Sequence, residues 1–406
     1  MKWWPKPANG AGAVCRKDCN NSLMNRARFF PLRQRKRRKL SLRSELGKIE
    51  LRVDYGQELE SRRWLCPLQQ EWGLNAHQKI TPGLAEKLCF TVTATGSYEE
   101  AAQVASKWSQ PIDDSTLHAL VKRIGSRAQE QAAARFQTLP RERQPQRQAS
   151  ALAVLMIDGW QVRHRGPGWG RKRSLKPRVE YHEMKTGVFY LQEQSAQTEA
   201  GRGLLEDKVV VSWQGEPMEL GRRLHWEALR GGLGRARAQL FIGDGAPWIW
   251  NLKHDRWAAA AELLDFYHAS QHLWALGTAL LGEKQPELTQ WVESRLHDLR
   301  HGKEKKVLSQ LATLKRRRGE AGKVMLREQN YFGSHACRMN YQAIGRRGWP
   351  IGSGAVESAC RQKQCRFKRA GQFWTTRGLR HLCALDEARR NHHWDQLWKP
   401  SNQEQC

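Results

Sequence analysis

Two short apolar runs, Ala151–Ile157 (ALAVLMI) and Ala238–Gly243 (AQLFIG), each stop at an Asp-Gly pair, Asp158-Gly159 and Asp244-Gly245. Runs this short and this apolar fit strands covered on both faces. A buried strand that delivers an aspartate at its C-terminal end is how α/β sheets present acidic groups along one edge. One such pair reads as an ordinary turn. Two are harder to dismiss: if the strands are neighbours, their carboxylates converge and can share divalent metal. A third short strand, Ala260–Asp265, runs into Phe266-Tyr267-His268, so that Asp265-x-x-His268 opens a helix with Gln271, His272 and Trp274. His268 there suits DNA contact, a bond to an active-site carboxylate, or plain satisfaction at a strand–helix junction. Residues 180–191 (EYHEMKTGVFYL) read as a meander, 208–213 as a strand and 217–229 as a helix. The alternation predicts an α/β region over 151–395.

The charge narrows the partner. Among 406 residues, 69 Lys and Arg face 40 Asp and Glu, a net charge of +29, with a pI near 10.2. Such a chain favours a polyanion, because cations that neutralise phosphates release counterions. No apolar run reaches the ~18–20 residues of a membrane span, and the first residues have no signal-peptide core. Neither an amphipathic basic helix nor a lipidation signal appears. The expectation is a cytoplasmic chain with no membrane role. Nine cysteines without a CxxC point to free thiols, with Cys15-x-x-x-Cys19 a weak hint of zinc. The 18 Trp fit core and interface packing better than base stacking.

Residues 1–60 carry 15 Lys and Arg against 6 Asp and Glu, densest in Arg33–Lys39. This stretch reads either as a solvated, partly disordered arm or as one that tracks phosphates, followed by a short strand at 48–56. Residues 61–140 read as helical. Within them Ser97 and Glu100 have capping-box spacing, ahead of a face formed by Ala101, Val104, Ala105 and Trp108. Pro111 blocks that helix and Asp113 or Asp114 caps a second, with Leu117, Leu120, Val121 and Ile124 on one stripe and Lys122 and Arg123 outside it. A plain helical hairpin has the same pattern, but in so basic a chain a DNA-reading helix-turn-helix is favoured. The polar stretch 141–150 (RERQPQRQAS) is the expected linker.

Residues 284–345 read as an all-helical, basic insertion. Then Gly348–Arg361 (GWPIGSGAVESACR) forms a Gly/Ser/Pro turn leading into a helix with Glu357 in its first turns. Glu357 there can serve the helix dipole or pair with Arg361. Equally, it can supply a third carboxylate beside free amides that suit a phosphate. Arg361, Lys363, Arg366, Lys368 and Arg369 follow within nine residues, and with Lys122, Arg123, Trp250 and His268 are candidate DNA contacts. Asp158, Asp244 and Glu357 in that order match two-metal phosphodiester chemistry, in which two ions lie ~3.5–4 Å apart. Hard oxygen ligands select Mg²⁺ or Mn²⁺ over zinc.

The blocks MIDGW (156–160), IGDGAPWIWN (242–251), LLDFYHASQHLW (263–274), GWPIGSGAVESACR (348–361) and RFKRAGQFWTTRGLRHL (366–382) resemble bacterial insertion-sequence DDE transposases of the Kra-type group, related to mutator-like elements. TGSYEEAAQVASKW (95–108) resembles that group's helix-turn-helix entry and CPLQQEWGL (66–74) a short block before it, so the resemblance spans roughly 60–395. It implies a ribonuclease-H-like catalytic fold with a helical insertion before the glutamate. Asp158, Asp244 and Glu357 would be the metal-binding triad, and Asp265 with His268 the accessory D-x-x-H motif. Asp158 would then bridge two ions, Asp244 hold one and Glu357 the other. The resemblance further implies cleavage at element ends, joining of the freed 3′-hydroxyl to target DNA, a multimeric synapse and a nucleoid-associated bacterial location. Relatives often carry a cysteine pair before the helix-turn-helix, which Cys66 here lacks. Two other readings stand beside it: a non-catalytic DNA-binding regulator, and a ribonuclease-H-like structure-specific nuclease.

Overall fold

The structure, a computed structural model, describes residues 32–72, 74, 79–108, 111–137, 151–199 and 203–398. Residues 1–31 of the basic arm, with Cys15 and Cys19, and the linker at 141–150 lie outside the described residues. The chain divides into two compact units, residues 1–124 with 394–406, and residues 125–393.

In the first unit β1 (Leu32–Ser44) and β2 (Gly47–Glu58) form an antiparallel hairpin closed at Ser44↔Gly47, and β3 (Trp64–Leu65) extends it. Alternation explains the pairing. Leu40 and Leu42 face Leu51 and Ile49 across the hairpin, over a buried cluster with Val53, Cys66, Leu68 and Leu74. The opposite face keeps its cations in water: Arg35 and Arg37 lie 3.3 and 3.9 Å from Asp54, and Lys39 is 2.6 Å from Glu50. The densest basic stretch is therefore a paired strand, and the disordered-arm reading is corrected for Arg33–Lys39. Helices α1 (Pro67–Glu71), α2 (Pro82–Ala94), α3 (Tyr98–Ala105) and α4 (Asp114–Arg135), the last counted with this unit only as far as Ile124, follow. Ser97 Oγ accepts from Glu100 N at 3.0 Å, while the Glu100 carboxylate accepts from Gly96 N at 2.9 Å, a capping box displaced by one residue. Asp113 caps α4 through Thr116 N at 2.7 Å. Leu117, Leu120, Val121 and Ile124 are all buried as expected, but Val104 and Trp108 of the earlier face are exposed.

The second unit is built on a five-stranded mixed sheet of β4 (Leu152–Arg165), β5 (Val179–Leu191), β8 (Val209–Trp213), β9 (Ala238–Gly243) and β10 (Ala261–Leu264), with a separate small pair β6 (Ser195–Gln197) and β7 (Gly203–Leu205). The spatial order is β10-β9-β4-β5-β8. In chain order the five strands stand as 3-2-1-4-5. The first three are antiparallel, and the last two run parallel to the first. That mixed α/β arrangement is compatible with a ribonuclease-H-like domain. Residues 152–157 of β4 are buried throughout, which requires cover on both faces. Helix α5 (Pro217–Arg230) lies so close to β5 that a Cβ at Gly187 would meet Leu224 at 2.5 Å. Its neighbour Thr186 points to the other face, where a hydrogen bond joins it to Cys360 of α12 (Gly354–Phe367).

Two local expectations change. Residues 179–191 are one continuous strand, not a meander. β4 also does not stop at Asp158: it runs on to Arg165 because β5 continues beside it, while the parallel partner β9 ends opposite Ile157. Between β9 and β10 lies α6 (Pro247–Arg256). After β10 come α7 (Phe266–Leu281), α8 (Pro286–Arg300), α9 (Glu304–Ala312), α10 (Gly319–Ser334) and α11 (Tyr341–Arg346), then α12 and α13 (Thr376–Arg390), with α14 (Trp394–Trp398) in the first unit. The free edge of β8 is covered by side chains of α13 and the residue after it. Asn391 bonds both Val210 N and Val210 O at 2.9 Å, and Glu387 accepts from Ser212 N at 2.6 Å. Among the described residues no helix is long and apolar enough to cross a membrane.

Candidate active site

Three aspartates follow where the parallel pairing of β4, β9 and β10 ends. Ile157 pairs with Gly243 and Gly243 with Leu264, so Asp158, Asp244 and Asp265 follow side by side on β4, β9 and β10. Asp158 and Asp244 are half-buried. Burial raises the Asp158 pKa and the nearby Asp244 charge raises it further, against the lowering effect of Gly159 N, the Cys360 thiol and the charge of His268. Each carboxylate also closes a short turn: Asp158 Oδ1 accepts from Gly159 N at 2.6 Å, and Asp244 Oδ1 from Ala246 N at 2.9 Å.

The glycines of the two Asp-Gly pairs are crowded to different degrees. A Cβ on Gly159 would stand 2.6 Å from Glu183 Oε1, and Glu183 is held by Lys185 at 2.7 Å. Gly245 has φ +107 and its Cβ would stand 2.7 Å from the Tyr331 ring.

Asp265 is different. It is fully buried, and both its oxygens are occupied. Oδ1 caps α7 by accepting from Tyr267 N at 2.6 Å and His268 N at 3.1 Å. Oδ2 accepts from Ser353 N at 2.9 Å and from Ser353 Oγ. The same Ser353 Oγ lies 2.9 Å from Glu357 Oε1. Asp265 thus braces the start of α12 against the start of α7, and Phe266 N donating to Ile351 O at 3.1 Å adds to the brace. Glu357 is exposed in the first turn of α12. One turn on, Cys360 bonds Asp158, so α12 lies directly over the β4 carboxylate.

Helix α10 closes the Asp244 side. Tyr331 donates its hydroxyl to Asp244 O at 2.8 Å and stacks on His272 with ring centres 3.6 Å apart. His272 Nδ1 lies 2.5 Å from Oε2 of the fully buried Glu328. Sequence reasoning missed Ser353, Cys360, Glu328 and Tyr331. Ser353 and Cys360 sit inside the GSGAVESAC block, where hydroxyl and thiol positions were readable. Nothing in the periodicity of 319–334 marks Glu328 or Tyr331.

Three expected DNA contacts are corrected. Trp250 is buried against Phe241, under the Arg338 guanidinium at 4.2 Å. Lys363 is wholly buried and bonds Asp386 at 2.9 Å. Arg366 is buried beside Trp374, 5.7 Å from the ring centre. All three lie on helix faces that pack inward, which a count of basic residues does not reveal. Lys122, Arg361, Lys368 and Arg369 are exposed, and Arg123 and His268 are half-buried.

The carboxylate oxygens of Asp158 and Asp244 have the hard-donor chemistry of a magnesium or manganese site. Glu357, however, is turned to Ser353, and among the described residues no group of three His, Cys, Asp or Glu side chains converges closely enough to hold a metal ion. The side chains as arranged fit a two-carboxylate hold and not a completed triad.

No protein-family model matches the chain, and no curated protein matches it either. Among solved structures, the Drosophila P element transposase strand transfer complex is similar at a TM-score of 0.26 and 12% identity, over 78% of this chain and 79% of that one. A TM-score that low does not establish a shared fold.

Proposed function

We propose that this chain is a DNA transposase whose catalytic carboxylates are Asp158, Asp244 and Glu357. The observation that carries the reading is the pair Asp158 and Asp244 at adjacent strand positions, beneath a helix that bears Glu357 and touches Asp158 through Cys360. Asp158 and Asp244 would hold Mg²⁺ or Mn²⁺, with Glu357 joining them once released from Ser353, and the metal would supply charge for the attacking and leaving oxygens of a phosphodiester. The chain's own residues do the arranging. Asp265 holds Ser353, Ser353 holds Glu357, Tyr331 holds the Asp244 backbone, and His268 stands near Asp158. The same reading assigns α3 and α4 to a helix-turn-helix, residues 284–345 to an insertion, and the assembly to a homo-oligomeric synapse on element ends and target DNA in the bacterial cytoplasm, near the nucleoid.

A second reading, a DNA-binding regulator without catalysis, is favoured by the engagement of Glu357 with Ser353. Metal-dependent nicking of a duplex carrying the element's own end separates the two. In the first reading, Asp158→Asn and Glu357→Gln each lower nicking by at least about a hundredfold, the scale on which a positioned catalytic group acts, while DNA affinity holds. Wild-type cleavage by either purified variant rejects the assignment. Equal cutting of unrelated branched duplexes points instead to a structure-specific nuclease.

A further inference from the structure

We propose that the tip of the β4–β5 hairpin, residues 163–178, is a docking surface for the phosphate backbone of duplex DNA. The inference rests on the DNA-processing reading above, and of its carboxylates it uses only the position of Asp158 on β4. Between Gln161 and Val179 the chain has seven cations, Arg163, Arg165, Arg171, Lys172, Arg173, Lys176 and Arg178, and no Asp or Glu. Among the described residues no carboxylate pairs with any of the seven. Where they bond at all they bond carbonyls, which leaves their charge intact: Arg178 to Lys172 O at 2.6 Å, Arg165 to Phe373 O at 3.3 Å, and Arg163 to Arg369 O.

The tip is built, not merely solvated. Gly166 N donates to Arg178 O at 2.9 Å and Gly168 N to Pro177 O at 3.0 Å. A Cβ on either glycine would collide with the returning backbone, at Pro177 O or Lys176 O. Arg165 lies over Trp169, and Trp169 packs on Phe373 at 4.7 Å. That frame leaves Arg171, Lys172, Arg173, Lys176 and a fully exposed Leu175 facing water. An ordinary solvated face intersperses acids among its bases. A folded loop that keeps this many like charges together without a counter-charge bears mutual repulsion that a polyanion relieves. The position suits a duplex: Arg165 lies seven residues beyond Asp158 on the same strand, roughly 23 Å. A double helix laid along the hairpin from Asp158 would reach the tip about seven base pairs away.

The test is binding of the full-length protein to a duplex of about 30 base pairs carrying the element end, followed from about 50 to 200 mM KCl. Arg171→Ala/Lys172→Ala/Arg173→Ala should flatten the slope of log affinity against log salt by about 2–3, at about 0.9 per lost phosphate contact. Lys172→Ala and Lys176→Ala, both on exposed side chains, should each flatten it by about one. Arg171→Lys/Arg173→Lys, which keeps the charge, should leave it unchanged. An unaltered slope and affinity in the triple and both single variants overturns the docking surface while the transposase reading stands. Absence of DNA binding by the wild type defeats both. Equal losses for duplex RNA and for heparin overturn the duplex-DNA assignment.

Discussion

Asp158 and Asp265 stand two strands apart, and their surroundings oblige them to behave in opposite ways. Asp158 is half-buried beside another carboxylate, so its charge opposes folding. A carboxylate whose pKa is raised in the folded state contributes stability below its unfolded pKa and loses it as pH rises through the folded value. Asp158→Asn should therefore leave the urea midpoint at pH 7 unchanged or higher, and a clear drop would show Asp158 to be a structural group. Asp265 accepts from four donors on two elements. Asp265→Asn leaves at least one of them unmatched and should lower stability by about 1–3 kcal/mol, read in the same titration. Gly245→Ala puts a side chain at a left-handed φ and against Tyr331; a loss of about 2 kcal/mol is expected. The aspartates were legible in the sequence because each closes an apolar run. That Asp265 is sealed and Asp158 open was not, since Ser353, which seals it, arrives from 88 residues further on.

Among the elements, α13 has an unusual interior. Asp386 is buried with Lys363 and is also bonded by Arg389 at 3.3 Å and Arg390 at 2.9 Å. Burial acts to raise its pKa, but these cations outweigh it and hold the carboxyl below the ordinary range. The adjacent Glu387 faces the free edge of β8, where burial pushes its pKa up to about 7 against the lowering effect of Lys363 and of Ser212 N. The two neighbours titrate in opposite senses. For Glu387 the folded pKa exceeds the unfolded one, so its stabilisation is complete below about 4.5 and fades as pH climbs through about 7. Glu387→Gln should flatten the stability profile between pH 5 and 7, by up to about 3 kcal/mol. A slope equal to the wild type's over that interval would contradict it. Only the first half of the helix lies within a block readable from the sequence, and its role as a cover for a sheet edge became visible only with β8 beside it.

For the whole molecule the dominant fact is the charge of +29. Self-repulsion on that scale destabilises the folded chain, and salt or a polyanion should relieve it. Raising KCl from about 50 to 300 mM, or adding heparin, should raise Tm by a few degrees; no response to either would mean the cations are already paired within the fold. Composition, apolar runs and capping residues by themselves determined that the chain is basic, mixed α/β and armed with acids that close apolar runs, because each of those signals is complete within a few residues. Tertiary structure alone decided which charges meet water. Lys363 and Arg366 turn inward, while Arg171, Lys172 and Arg173 stand free, since burial is set by what packs against a residue from elsewhere in the chain and not by its own neighbours.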